Sequence, residues 1–169
     1  MKKLAIFDVD YTITKKETLM ELFKYSIHED KRNLRYLPRA IYSGIMYGIG
    51  VFDERRVKEC FLKFIEGYDK EKLGQLVNRF YKNRLSTILY DDSIKMMKKL
   101  KNEGYDIYLI SASPEFYLFE LYALDEVDRI IGTKFEFKDG KFNRKMDGAN
   151  CKGEEKVKRL KQVLKDEKI

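Results

Sequence analysis

Residues 4–13 constrain the fold of this chain more strongly than any other stretch. The stretch begins Leu-Ala-Ile-Phe, an apolar run that predicts a strand buried on both faces in a parallel sheet. Asp8 and Asp10 follow at once, and ligands of open α/β sheets bind where parallel strands end. Two carboxylates side by side require a cation or a shared proton, and Mg²⁺ prefers such oxygen ligands. The alternative is a strand that ends in a polar turn with both aspartates solvated.

The next part of the chain predicts only helices. Apolar spacing predicts an amphipathic helix over residues 14–28, with Thr14 and Glu17 in the spacing of a capping box at its start. Residues 40–52 carry no charge and predict a helix packed inside a small bundle; a lid over a site and a weak lipid contact are the alternatives. Helical spacing returns in residues 53–66, with Gly67 as a stop, and in residues 69–89. We therefore expect an all-helical insertion over residues 14–86.

The pattern changes after residue 90. Residues 91–103 predict a helix, 105–110 a strand, 115–124 a helix and 127–131 a short strand. Residues 135–142 predict a β-hairpin with an Asp-Gly turn, because Asp139 and Gly140 suit a turn with positive φ. A loop over 148–153 and a closing helix over 154–168 follow. The expected fold is α/β, with a discontinuous core formed by residues 1–13 and 87–169 and a helical cap over 14–86.

Composition narrows the function classes. The chain has 169 residues and 44% hydrophobic content, enough for one α/β domain with an insertion. We expect no signal peptide, because the apolar run after Met1 is too short, and no membrane span, because no apolar run reaches about twenty residues. Cys60 and Cys151 are far apart in the sequence and do not have the spacing of a metal-binding or redox motif. We therefore expect both to be reduced thiols in a cytoplasmic protein. The net charge of +7 is spread over presumed helix surfaces, which favours solvated faces over nucleic-acid binding and would attract phosphorylated metabolites.

Two further positions could carry chemistry. Ser111 follows the strand 105–110, where a hydroxyl and nearby backbone N–H groups could bind an oxyanion; an ordinary helix N-cap is the alternative. A lysine in residues 150–157 could neutralise a bound phosphate, and both Lys152 and Lys156 have suitable neighbours in sequence. Most surface lysines are simply solvated, so this interpretation depends on position.

These segments together resemble a known family. The run Asp8-Val-Asp10-Tyr-Thr12, the run Ser111-Ala112-Ser after a strand, and the lysine near Gly153-Glu154 are similar, in this order, to the first three motifs of the haloacid dehalogenase superfamily. The helical insertion between the first two motifs resembles the cap of its phosphoserine-phosphatase-like branch. The resemblance covers nearly the whole chain and implies a Rossmann-like three-layer sandwich core.

The resemblance also implies a phosphatase that forms an aspartyl-phosphate intermediate on a small phosphorylated metabolite. Asp8 would be the nucleophile and Asp10 the general acid and base, while Mg²⁺ would bind the Asp8 side chain and the Asp10 backbone carbonyl. The third motif can be aligned with this sequence in two registers. One makes Lys156 the third-motif lysine and the other makes it Lys152; we favour Lys156. The remaining implied substrate- or phosphate-binding residues are Thr12, Ser111, Ala112 and Glu17.

The chain departs from the family pattern in two places. Glu59 stands where phosphoserine phosphatases carry a substrate-binding arginine, so the resemblance does not extend to phosphoserine specificity. The fourth motif, an acidic pair after one more strand, is not found before Ile169. We therefore expect weak or absent turnover from these 169 residues unless a second copy or a further C-terminal segment completes the core. A non-catalytic phosphate-binding or assembly module is the alternative function.

Overall fold

The structure is a computed structural model in which residues 3–166 are described. Within them the chain forms a mixed α/β fold with one four-stranded sheet and seven α-helices, which confirms the predicted fold class. The strands are β1 (Lys3–Phe7), β2 (Tyr105–Pro114), β3 (Val127–Lys138) and β4 (Lys141–Asp147). The helices are α1 (Thr18–Glu29), α2 (Leu37–Gly48), α3 (Glu54–Phe61), α4 (Lys70–Asn83), α5 (Asp91–Asn102), α6 (Glu115–Leu118) and α7 (Glu154–Asp166).

The sheet order places the predicted polar segments side by side. The strands follow the order β1-β2-β3-β4; β1 pairs parallel to β2, β2 pairs parallel to β3, and β4 is antiparallel to β3. Ile6 of β1 lies opposite Tyr108 of β2. Because both strands run in the same direction, the residues that follow β1 and the last residues of β2 meet at one edge of the sheet.

The prediction that the first strand is buried on both faces was wrong. Ile6 is 49% exposed, although β1 does pair in a parallel sheet with β2, as expected. The side chains of Ile110 and Ile131 on β2 and β3 pack against Leu160 and Val163 of α7. Helix α7 thus covers this face of the sheet over β2 and β3 and leaves Ile6 partly in solvent.

The first helix begins later than the capping-box spacing predicted. Helix α1 starts at Thr18, and its N-cap is Glu17, whose carboxylate accepts a hydrogen bond from Met20 N at 2.6 Å. The Thr14 hydroxyl instead donates to the carbonyl oxygens of Val9 and Lys16. Thr14 therefore stabilises the loop after β1 and does not cap the helix, because the loop continues beyond Thr14 and the helix begins only at Thr18.

Helix α2 was predicted correctly as a helix and wrongly as one packed inside a bundle. Ser43 is its only buried residue, while Ile41 and Ile45 are among the most exposed apolar side chains of the described residues. No helix in residues 3–166 is long and apolar enough to cross a membrane. The uncharged segment over 40–52 therefore forms an exposed surface helix as far as Gly48, and Phe52 beyond the helix is buried.

One hydrophobic cluster joins the helical segment to the sheet. Phe23 of α1 and Phe80 of α4 belong to the same buried cluster as Leu109 of β2 and Tyr117 of α6. The rings of Phe80 and Tyr117 pack edge to face with centroids 6.1 Å apart. The division into a core over 1–13 and 87–169 and a cap over 14–86 stays a prediction, and its two parts share this interior.

The predicted hairpin is confirmed and also contacts the helical segment. Asp139 and Gly140 have φ of 51° and 74°, which is the left-handed backbone that a tight Asp-Gly turn requires. Beyond the turn, Phe142 of β4 is buried, donates its N–H to Tyr68 O at 2.7 Å and accepts from Gly67 N at 2.9 Å. The loop over 148–153 and α7 follow as expected; the last residues of the predicted closing helix lie outside the described residues.

Candidate active site

A cavity of about 460 Å³ opens where β1 and β2 end. Its walls come from the loop after β1, the end of β2, the start of α7 and the helices α2 and α3. The lining residues are Asp8, Asp10, Glu17, Tyr47, Glu54, Val57, Lys58, Ser111, Ala112, Ser113, Lys152 and Lys156. Of the eight residues selected from the sequence, all except Thr12 line this cavity.

Asp8 is held at the mouth of the cavity by a tight loop. The carbonyl oxygen of Val9 accepts the backbone N–H groups of residues 12, 13 and 14 at 3.0 to 3.2 Å, which closes the chain on itself directly after β1. Asp8 Oδ1 accepts from Val9 N at 2.8 Å, and Asp8 Oδ2 accepts from Lys156 Nζ at 2.6 Å. The Asp8 side chain remains 47% exposed, so a ligand in the cavity can reach it.

Asp10 has a different environment. Its Oδ1 accepts from both the backbone N and the hydroxyl of Thr18, each at 2.7 Å, and its Oδ2 accepts from Ser113 Oγ at 2.6 Å. The Thr18 hydroxyl also lies 2.9 Å from the hydroxyl of Tyr117. Burial raises the pKa of Tyr117 well above its usual value. The carboxyl group of Asp10 is thus fixed in orientation by buried neutral groups, whereas Asp8 faces a cation.

The end of β2 supplies neutral polar groups. Ser111 is buried, and its hydroxyl accepts from Ser113 N at 3.0 Å. The Ala112 carbonyl oxygen accepts from Lys58 Nζ at 2.5 Å and from Thr133 Oγ1 at 2.6 Å. Ser111 therefore lies near the end of β2 and lines the same cavity as Asp8, while the carbonyl of Ala112 is directed towards α3 and β3.

The two candidate lysines have different partners. Lys156, in the first turn of α7, pairs with Asp8. Lys152, in the preceding loop, pairs with Glu54 of α3. This pair raises the pKa of Lys152 and lowers that of Glu54, through a hydrogen bond between them. Only Lys156 therefore contacts the carboxylate at the end of β1.

Lys58 of α3 was not selected from the sequence. Its Nζ donates to Ala112 O and, at 2.7 Å, to Asn150 Oδ1, and burial lowers its pKa. Glu59, the residue aligned with the arginine of phosphoserine phosphatases, instead accepts from Met146 N at 3.1 Å and lies outside the cavity lining. The residue before it, Lys58, is the cation that α3 directs into the cavity. A lysine on a charged helix has no distinctive sequence signal, which is why it was missed.

Glu17 and Thr12 differ in their relation to the cavity. The carboxyl group of Glu17 lines the cavity next to α1, and burial raises its pKa, with a further contribution from the charge of Asp10. Thr12 is exposed and is not part of the lining; its carbonyl oxygen accepts from Ser93 Oγ at 2.8 Å. Glu17 thus lines the cavity and interacts electrostatically with Asp10. Thr12 lies outside the cavity and is hydrogen-bonded to α5.

The acidic residues at the sheet edge offer oxygen donors to a metal ion. Among residues 3–166, no set of three or more His, Cys, Asp or Glu side chains is placed to hold one. Mg²⁺ commonly binds one or two carboxylates and keeps several water ligands. The half-exposed carboxylate of Asp8 and the neighbouring Asp10 fit such a partial, oxygen-only ligand set.

Comparison with known proteins identifies the family. A family model described as haloacid dehalogenase-like hydrolase matches residues 5–169, which is nearly the whole chain. The chain therefore belongs to the haloacid dehalogenase-like hydrolases. This confirms the family that the three motifs suggested.

Individual relatives and solved structures resemble this chain over most of its length. Protein CicA of Caulobacter vibrioides is 26% identical over 165 residues, which span 95% of this chain and 72% of the relative. A protein of unknown function from Bordetella pertussis Tohama I superposes with a TM-score of 0.87 at 19% identity, covering 98% of this chain and 75% of that one. A phosphoserine phosphatase solved as a phospho-aspartyl intermediate analogue superposes with a TM-score of 0.63 at 21% identity, covering 99% and 73%. The fold is thus that of the phosphoserine-phosphatase-like branch.

Proposed function

We propose that this protein is a Mg²⁺-dependent phosphomonoester hydrolase that forms an aspartyl-phosphate on Asp8. The observation that carries this proposal is the placement of Asp8: its carboxylate is half exposed to a cavity, 2.6 Å from Lys156 Nζ, and Ser111 lines the same cavity. A carboxylate nucleophile must reach phosphorus while cations and hydrogen-bond donors meet the phosphoryl oxygens. Membership of the hydrolase family supports the same interpretation.

The first half-reaction transfers the phosphoryl group to the protein. A carboxylate oxygen of Asp8 attacks phosphorus, the bond between phosphorus and the ester oxygen breaks, and the leaving alcohol takes a proton from Asp10. Asp10 suits this role because Thr18 and Ser113 hold both of its oxygens in place beside the cavity.

The second half-reaction releases phosphate. A water molecule attacks the phosphorus atom of the intermediate and gives its proton to Asp10, and the bond between phosphorus and Asp8 breaks. Inorganic phosphate leaves, Asp8 is again a carboxylate, and Asp10 again carries the proton for the next cycle. One residue can serve in both steps because it alternates between its two protonation states.

Lys156 and the end of β2 bind the phosphoryl oxygens in this proposal. The ammonium group of Lys156 offsets the negative charge that accumulates between Asp8 and the phosphoryl group. The Ser111 hydroxyl and the backbone N–H of Ala112 complete the set of donors, while Thr12 supports the loop after β1. Lys152, which pairs with Glu54, contributes less to the reaction than Lys156.

Mg²⁺ would be held by the carboxylate of Asp8 and the backbone carbonyl of Asp10, with water and substrate oxygens as further ligands. When bound, it would neutralise phosphoryl charge and orient the substrate. The surrounding residues already provide the remaining functions, because Lys156 supplies a second positive charge and Asp10 handles the proton.

We propose that the substrate is a small phosphorylated metabolite, because the cavity holds about 460 Å³. Glu17, at the start of α1, and Lys58 of α3 also line the cavity, and in this proposal they contact the leaving group. Phosphoserine has an amino group for Glu17 and a carboxylate for Lys58. A cytoplasmic location agrees with the free thiols of Cys60 and Cys151.

The test is hydrolysis of para-nitrophenyl phosphate by this chain with and without Mg²⁺, comparing the wild type with Asp8→Asn. Asp92→Asn, at an exposed aspartate of α5, is the matched control. Because the fourth motif is not found before Ile169, we expect weak Mg²⁺-dependent turnover, which Asp8→Asn abolishes and Asp92→Asn preserves. Turnover that survives in Asp8→Asn would overturn the proposed nucleophile.

A phosphate-binding module without catalysis is the second candidate, and it is favoured by one observation. Within the described residues, no third acidic side chain joins Asp8 and Asp10 in a metal-binding geometry. A binding module would hold inorganic phosphate in isothermal titration and would show no hydrolysis at any Mg²⁺ concentration. Metal-dependent hydrolysis by this chain would exclude it.

A further inference from the structure

A second cavity, of about 420 Å³, lies between the start of α2, helix α3 and strand β4. We refer to it as the α3–β4 cavity. Its cationic lining side chains are Arg39, Arg55, Arg56, Arg144 and Lys145. Two acidic side chains, Asp53 and Glu59, also line it. A cavity with such an excess of positive charge concentrates anions from the surrounding solution.

The α3–β4 cavity is separate from the candidate active site. Helix α3 contributes Val57 and Lys58 to the active-site cavity, and Arg55, Arg56 and Glu59 to the α3–β4 cavity. Among residues 3–166, the two cavities have no lining residue in common. The proposed phosphatase reaction therefore makes no use of this second cluster of charges.

Both acidic residues of the α3–β4 cavity already have partners within the protein. Glu59 is buried, and its carboxylate accepts from Lys145 Nζ at 3.0 Å and from Met146 N at 3.1 Å. Asp53 is the N-cap of α3, and its carboxylate accepts from Arg56 N at 2.8 Å. The helix N-terminus favours a negative charge at this position. These contacts engage the two carboxylates with groups other than the guanidinium groups of Arg39 and Arg56.

Arg39 and Arg56 differ from most arginines of the described chain. The arginines that form an ion pair with a carboxylate are Arg32, Arg55, Arg79, Arg84, Arg144 and Arg159. Within residues 3–166, neither Arg39 nor Arg56 forms one. Both side chains are exposed to solvent, and both line the same cavity. Their charges are thus available to an anion that enters it.

The cations around the cavity are also held in place. The guanidinium of Arg56 lies 4.5 Å from the centroid of the buried Phe52 ring, a contact that leaves its charge and its N–H groups available. Arg144 donates to Glu59 O at 2.9 Å and to Glu66 Oε1 at 3.1 Å. Side chains that are ordered before a ligand arrives lose less conformational freedom on binding. The wall of the cavity is therefore partly prepared for a ligand.

The chemistry of the cavity favours a phosphate group. The planar guanidinium fork of arginine matches the oxygen atoms of phosphate and can form two parallel hydrogen bonds with it. A phosphate monoester carries nearly two negative charges at neutral pH, which would balance the charges of Arg39 and Arg56. The volume of about 420 Å³ suits a small molecule. A nucleic-acid strand, by contrast, binds along an extended basic groove.

We propose that the α3–β4 cavity binds the phosphate group of a small molecule, with Arg39 and Arg56 as its principal ligands and Arg144 and Lys145 at its border. A ligand in this cavity contacts α3, the helix that also forms a wall of the candidate active site. This inference does not depend on the proposed catalytic activity.

The test is isothermal titration of pyrophosphate into the Lys156→Met variant of the 169-residue chain, in EDTA. The candidate active site then lacks both its lysine and any metal, so binding that remains belongs elsewhere. We expect one binding site, with an affinity that decreases as salt rises. Adding Arg39→Gln/Arg56→Gln in the same background should weaken binding at least about tenfold, because two charge-assisted hydrogen-bond donors are lost.

Arg32→Gln/Arg79→Gln in the same background is the matched control. It removes the same amount of charge from two arginines that lie outside the cavity. It should bind pyrophosphate as the Lys156→Met protein does. Circular dichroism and thermal unfolding establish that each variant is folded.

Three results would overturn the proposal. The first is an absence of binding by the wild type, and the second is binding by the wild type that Lys156→Met abolishes, which would assign the anion to the candidate active site. The third is an equal loss of affinity in the two double variants, which would show that only the overall charge of the protein matters.

Discussion

The two sides of the candidate active site are built in different ways. On the sheet side, Asp10 is held by the backbone and hydroxyl of Thr18 and by Ser113, through hydrogen bonds of 2.6 to 2.7 Å. On the side of α3, the charged groups that line the cavity are the long side chains of Lys58 and Glu54. The sheet side can fix reacting groups precisely, whereas the α3 side can adapt to different leaving groups. Substitutions on the two sides should therefore have different consequences.

The largest effect that sharpens this comparison is expected at Asp10. Asp10→Asn keeps a side chain of the same size but cannot transfer a proton, so turnover of para-nitrophenyl phosphate should fall about 10²- to 10⁴-fold. The fold should persist, because the amide oxygen can still accept from Thr18. Steady-state kinetics at saturating Mg²⁺ measures the change, and circular dichroism checks the fold. An unchanged rate would remove Asp10 from the proposed mechanism.

The two lysines provide a matched pair at the same end of α7. Lys156→Met removes the cation beside Asp8, and we expect the rate to fall about 10²- to 10³-fold, as for the loss of one group that stabilises transition-state charge. Lys152→Met removes only the partner of Glu54 and should change the rate less than about tenfold, since exposed ion pairs contribute little. Measuring kcat/KM for both variants decides between the two sequence registers. The reverse order of effects would assign the catalytic role to Lys152.

A smaller and more selective effect is expected at Lys58. Lys58→Met should raise KM about tenfold for a substrate with a second anionic group, such as phosphoserine, because a charge-assisted hydrogen bond contributes about 1.5 to 3 kcal/mol. It should leave KM for para-nitrophenyl phosphate nearly unchanged. Lys63→Met, which removes a lysine paired with Glu66 near the end of α3, is the control. Equal effects on both substrates would indicate that Lys58 has only a structural role.

The smallest effect concerns the pH dependence of stability. Lys152 lowers the pKa of Glu54 below its usual value of 4.5, so the contribution of this pair is present above that value and is lost as pH falls through the folded-state pKa. Lys152 has a raised pKa, so its contribution is lost only at strongly alkaline pH. Urea unfolding of the wild type and Glu54→Gln should therefore differ at pH 6 and converge as pH falls through the folded-state pKa of Glu54. A difference that persists at low pH would contradict the role of this ion pair.

The sheet side was largely predictable from sequence, for physical reasons. A buried strand followed by acids, and a second strand followed by a serine, must meet at one edge of a parallel sheet. Asp8 and Ser111 are therefore brought to one cavity by topology alone. The Asp139-Gly140 turn was equally predictable, because few residues tolerate positive φ at two successive positions.

The helical side was less predictable. The uncharged run over residues 40–52 indicated a helix, which the structure places at Leu37–Gly48, but the direction in which its apolar side chains point is set by tertiary packing. The expectation of a buried helix was therefore wrong for Ile41 and Ile45. Lys58 was missed for a similar reason, since its position over the cavity depends on how α3 approaches the end of β2 and not on a local pattern.

The central claim is that Asp8 becomes phosphorylated, and mass spectrometry tests it most directly. The Asp10→Asn protein, in which hydrolysis of the intermediate should be slow, would be mixed with para-nitrophenyl phosphate and Mg²⁺ and quenched in acid. We predict that the peptide containing Asp8 gains the mass of one phosphoryl group, that hydroxylamine removes it, and that the additional Asp8→Asn substitution prevents it. Turnover by the wild type without any such adduct, or an adduct that persists after Asp8→Asn, would contradict the account.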